Sequence, residues 1–67
     1  MATGKVIEIS ASSSKSFEDA VAQGIKRTGE TVENIEGAWI KEQKVCIDNG
    51  KIAEYRVNMK VTFRIKD

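Results

Sequence analysis

Trp39, the only tryptophan in the chain, stands in an alternating run with Gly37 and Gln43, and a second run beyond Asn49-Gly50 carries Arg56. An indole offers a flat apolar face for stacking, an amide one donor group and one acceptor, and a guanidinium five donors in a plane. That set suits a planar ligand edged with carbonyl or phosphate oxygens. It suits a protein interface equally, because Trp and Arg are enriched where partners bury each other. Both uses need Trp39 on an accessible sheet face.

The hairpin from Gly37 to Lys66 decides which face that is. Asn49-Gly50 between two β-rich runs is a strong two-residue turn signal, since a type I′ turn needs positive φ at both central residues. Counting outward from it sets Asp48 opposite Lys51, Ile47 opposite Ile52, Gln43 opposite Arg56, Ile40 opposite Met59 and Trp39 opposite Lys60. In the last run Tyr55, Val57, Met59, Val61, Phe63 and Ile65 share one face, while Glu54, Arg56, Asn58, Lys60, Thr62 and Arg64 share the other. This is the pattern of a half-buried antiparallel strand. Trp39 then lies on the polar face, gathered with Gly37, Gln43, Val45, Ile47, Ile52 and Arg56, and a single-residue bulge would exchange faces.

Upstream, Val6-Ile7-Glu8-Ile9-Ser10 reads as a first strand, and Ser13 or Ser14 in the following serine cluster suits a helix cap. Phe17, Val21, Gly24, Ile25, Thr28, Val32 and Ile35 recur at helical spacing, which predicts one amphipathic helix over about Ser16 to Asn34. Gly24 and Gly29 each weaken a helix by roughly 1 kcal/mol relative to alanine, so close packing is expected there. The fold class is α+β: β-α-β-β with a three-stranded antiparallel sheet curled around one helix. Residues 1–67 form a single domain.

Composition removes most chemistry. The chain has no histidine and one cysteine, Cys46, which leaves no intrachain disulfide and none of the usual zinc ligand sets. The Ser12-Ser13-Ser14 run has no base at a recognisable position, Glu8, Glu42 and Glu54 do not form a carboxylate pair by spacing, and Asp48-Asn49-Gly50 reads as a turn. No catalytic residue is assigned and the expectation is a non-enzyme; metal ligands stay unassigned. A net charge of +1 with interspersed signs argues against a nucleic-acid partner, and no run has the length and apolarity of a membrane span or a signal peptide. A cytoplasmic home is expected. A core from 67 residues is marginal, so oligomerisation is the expected support.

The order of elements and several strings together resemble the dodecin family. The strings are Val6-Ile7-Glu8-Ile9, Phe17-Glu18-Asp19-Ala20, Trp39-Ile40-Lys41-Glu42-Gln43, Glu54-Tyr55-Arg56-Val57 and Lys60-Val61-Thr62-Phe63. The resemblance spans nearly the whole chain. It implies a homododecameric shell that binds a flavin such as FMN between tryptophans near two-fold axes, with a glutamine gripping the ring. It also implies storage, limiting flavin photochemistry and buffering supply, rather than turnover. Aligned on Ile40-Lys41-Glu42 and Tyr55, the family's stacking tryptophan falls on Gly37 and its glutamine on Arg56. Trp39, Gln43, Arg56 and Gly37 are therefore the candidate flavin-binding residues. The alternative is a flavin-free assembly that binds calcium, as some relatives lacking that tryptophan do, or serves as a scaffold.

Overall fold

The computed structural model describes residues 3–65, so Met1, Ala2, Lys66 and Asp67, including the last residue of the expected hairpin, lie outside it. Its elements are β1 (Thr3–Ser13), α1 (Phe17–Gly29), β2 (Ile35–Asp48) and β3 (Lys51–Ile65). The three strands form one antiparallel sheet in the order β1-β3-β2. This is the expected β-α-β-β arrangement, with the last strand in the middle.

β3 is central because its alternation gives it an apolar face to bury. Val57, Met59 and Val61 are fully buried and form the core with Ala20 of the helix. Burying side chains of this size contributes roughly 1.5–3 kcal/mol each. β1 lays Ala11, Ile9 and Ile7 opposite Val57, Met59 and Val61 in turn. Phe17, Val21 and Ile25 close the helix side, and from β2 Ile35 packs against the core. Phe17 meets Tyr55 edge to face at a centroid distance of 5.1 Å.

Gly24 has the close packing expected of it. A Cβ there would stand 2.6 Å from Met59 Cε and 2.9 Å from Ala11 Cβ, so only glycine lets the helix sit this near the sheet. Gly29 lacks such a neighbour, the nearest side-chain atom being Ile35 Cδ1 at 4.0 Å.

Three boundaries differ from the sequence expectation. β1 runs on to Ser13 because the long β3 offers partners as far as Tyr55, which drew Ala11 to Ser13 out of the expected loop. The helix cap is accordingly Ser16, whose hydroxyl accepts from the Asp19 N–H at 3.0 Å, while Ser13 and Ser14 do not cap. The helix ends at Gly29 rather than Asn34. The N–H groups of Thr31 and Val32 both turn back to the Thr28 carbonyl, and Asn34 adopts φ 63, a conformation asparagine tolerates, to send the chain into β2. The helical spacing of Val32 and Ile35 thus belongs to a turn and a strand.

Asn49 and Gly50 have φ 53 and 77, as a two-residue turn of the expected kind requires. Asp48 faces Lys51, Ile47 faces Ile52, Ile40 faces Met59 and Trp39 faces Lys60, as counted from the turn. Between those points the register departs. One shift lies between Cys46 and Ile47, where β3 carries Ala53 as an extra residue, and a second lies between Ile40 and Glu42, where β2 carries Lys41. The two bulges cancel, so only the stretch between them is displaced. Gln43 consequently faces Val57, not Arg56, and Arg56 faces Lys44.

Candidate ligand-binding face of the sheet

The helix covers one face of the sheet and leaves the other, called here the outer face, open. Even-numbered β3 residues line it, and directly opposed residues share a face. Three rows cross it: Val6-Thr62-Gly37, Glu8-Lys60-Trp39 and Ser10-Asn58-Glu42. A fourth row, Ser12-Arg56-Lys44, lies toward the hairpin turn.

Trp39 is 67% exposed on this face. It stands two residues from Gly37, about 7 Å along the strand. Gly37 is held by the Thr62 hydroxyl, which donates to its carbonyl oxygen at 3.2 Å. Lys41, the bulged residue, reaches across β3 to Glu8 Oε1 at 3.2 Å, and both side chains are about half exposed. Pairs of that kind contribute little to stability.

The four candidate residues do not converge within one protomer. Arg56 is on the outer face but four residues along β3 from Lys60, the partner of Trp39, which is about 13 Å. Its guanidinium is also engaged, donating from Nη2 to Glu54 Oε1 at 2.9 Å. That bond, followed by a hydrogen bond from Ser12, holds the Glu54 carboxyl below its usual range, and Glu54 in turn raises the Arg56 guanidinium. Gln43 falls on the helix side of the sheet beside Val57, as does Val45 beside Tyr55. Their expected place with Trp39 on the outer face is corrected by the bulge at Lys41, which carries no mark in composition or alternation.

Sequence counting did not single out Thr62, although the same count from the turn sets it opposite Gly37. The Lys44-Arg56 cation pair escaped for the same reason as Gln43. A shallow dent of about 90 Å³ lies there, lined by Glu42, Gln43, Lys44, Arg56 and Asn58. A larger groove of about 620 Å³ runs between β1 and α1 over Ile9, Ala11 and Gly24, away from all four candidates. Among the described residues no three carboxylates or thiols gather as a metal site would need.

A family model described as dodecin matches residues 3–66 of the chain. A calcium dodecin from Mycobacterium tuberculosis is 32% identical over 66 residues, covering 98% of this chain and 93% of that protein. Among solved structures, a dodecin from Streptomyces davaonensis superimposes with a TM-score of 0.95 at 30% identity, covering 98% of this chain and 97% of the other. The calcium-chelating calcium dodecin of M. tuberculosis, described with a novel calcium-binding site, gives a TM-score of 0.83 at 31% identity over 96% of this chain and 91% of its own. Sequence match, element order and superposition agree along almost the entire length, and the chain belongs to the dodecin family.

Proposed function

We propose that this chain is a non-enzymatic dodecin that assembles as a homododecameric shell and sequesters a flavin such as flavin mononucleotide on the outer sheet face. The observation that carries this reading is Trp39, a large indole 67% exposed on an open face beside a glycine. Trp39 fits a flavin as a stacking surface, and the space over Gly37, where an added Cβ would meet only Thr62 Oγ1 at 3.5 Å, fits a ring lying close to the backbone. Gln43 and Arg56 do not fit that same spot within one protomer, so a grip from Arg56 would have to come across a symmetry axis. A bound flavin supplies a light-excitable ring, and a stacked indole dampens its fluorescence.

Titrating the assembled protein against flavin mononucleotide tests this directly. Quenching of flavin fluorescence at micromolar protein is expected, and Trp39→Ala should abolish it. Unchanged fluorescence of the wild-type mixture would sink the proposal.

A second reading, calcium in place of flavin, is favoured by the 32% identity to a calcium dodecin and by Gly37 and Arg56 standing where the family's tryptophan and glutamine are expected. The carboxylates would then come from several protomers, because no three gather among the described residues of one. Calorimetry with calcium after chelator treatment discriminates: heat of binding supports this reading, and a flat trace rejects it.

A further inference from the structure

β1 pairs with β3 only as far as Ser13, which stands opposite Tyr55. Beyond that point β2 and β3 continue to the Asn49-Gly50 turn as a two-stranded arm with no third strand beside it. A two-stranded ribbon alone in water is marginal, so an arm of this kind gains from being covered. Ile47 is two residues from Val45, which faces the helix side, and it pairs with Ile52. Both isoleucines lie past the helix and are uncovered, Ile47 at 59% exposure and Ile52 at 51%. The other open apolar surface of the protomer is the groove of about 620 Å³ between β1 and α1. Its floor of Ile9, Ala11 and Gly24 includes two of the smallest residues, which leaves room for branched aliphatic side chains.

The arm cannot fill the groove of its own chain. Ile52 is five residues along β3 from Val57, the partner of Ala11, or about 17 Å, and the turn holds it there. The occupant must be a surface of protein size. The chain exposes 5093 Å² where a compact one of 7.4 kDa would expose about 4,200 Å², and the excess of about 900 Å² is close to the ~800 Å² that each partner gives to a standard interface.

We infer that the hairpin arm of one copy seats Ile47 and Ile52 in the β1–α1 groove of a second copy. The inference rests on the assembly reading and supplies one of its contacts. Arm and groove are different surfaces, so the contact is head-to-tail, and contacts of that kind close into rings. Each chain then uses its arm once and its groove once.

Thr28 lines the groove and its carbonyl, not its side chain, accepts the bonds that end the helix, so its side chain can be replaced. The test places Thr28→Cys and Ile52→Cys together in a Cys46→Ser chain, treats the assembled protein with a short bismaleimide, and reads a denaturing gel. Linked species beyond a dimer are expected, because every chain is joined at both ends, while each single-cysteine variant stays unlinked. Dimers from Ile52→Cys alone would show that arms meet each other, and a full-size double variant without links would show that the arm lies elsewhere; either overturns the inference. Thr28→Phe fills the groove and leaves the arm intact. Loss of the full-size species at micromolar concentration is expected by light scattering, and a full-size Thr28→Phe assembly overturns the inference as well. A wild-type protein that scatters as a single chain removes the assembly reading itself, and the inference with it.

Discussion

Asp19 shows how a single carboxyl can join strand to helix. Its Oδ2 accepts from the buried Ser13 hydroxyl and from Gln23 Nε2, and Ser13 Oγ accepts from the Lys15 N–H at 2.9 Å. The Ser13 bond, ahead of the Gln23 bond and the nearby Lys15 charge, holds the Asp19 carboxyl below its ordinary value of 3.8, against a smaller opposing effect of burial. A carboxyl depressed on folding stabilises the fold above its unfolded value, and that contribution disappears as pH falls through the folded one. Ser13→Ala should therefore move the Asp19 midpoint up toward 3.8, seen by NMR titration, and flatten the loss of stability on acidification below that value. An Asp19 midpoint unmoved in Ser13→Ala would contradict this assignment. The two helical glycines make an opposed pair. Gly24→Ala gains about 1 kcal/mol of helix propensity but overpacks the core against Ala11 and Met59 at roughly 1–3 kcal/mol, so net destabilisation is expected. Gly29→Ala meets no such obstacle and should stabilise by about 0.4–1 kcal/mol in denaturant unfolding.

Among the elements, the hairpin depends on two bulges of opposite sense. Lys41 adds a residue to β2 and Ala53 one to β3, so Trp39 returns to the face it would have had with neither. Deleting Lys41 removes the extra residue and leaves Ile40 opposite Met59 and Glu42 opposite Asn58, so Trp39 stays opposite Lys60 on the outer face. That variant should keep its tryptophan emission and lose little more than the exposed Lys41–Glu8 ion pair, about 1 kcal/mol or less. A shifted emission in it would contradict this register.

The whole molecule has too much surface for its mass. It exposes 5093 Å², where a compact monomer of 7.4 kDa is expected to expose about 4,200 Å². The excess follows from its form, 51 × 19 × 13 Å, in which the hairpin runs beyond the shelter of the helix. Ile40 sits on the helix side of the sheet yet is 45% exposed, and Ile47 and Ile52 are more exposed still. In the assembly proposed above, apolar surface distributed in this way would form contacts between protomers. Light scattering at micromolar concentration should give a species far heavier than one chain, and the thermal midpoint should rise with protein concentration. Ile40→Glu should lower that midpoint and reduce the assembly; a midpoint independent of both would contradict the role given to this face.

By itself the sequence determined the β-α-β-β order, the hairpin turn and the apolar face of β3, because each rests on local chemistry. Asn-Gly accepts positive φ, and alternation or helical spacing states which residues can be buried together. Tertiary structure decided what local chemistry leaves free. The length of β1 depended on how far β3 could pair with it, and the end of α1 on where Asn34 could turn the chain. The face of Gln43 depended on an extra residue at Lys41 that costs the pattern nothing visible. Gly37 is the clearest case of the two together: the sequence marks it as a glycine in a strand, and the structure shows that neither φ nor packing within the protomer requires one.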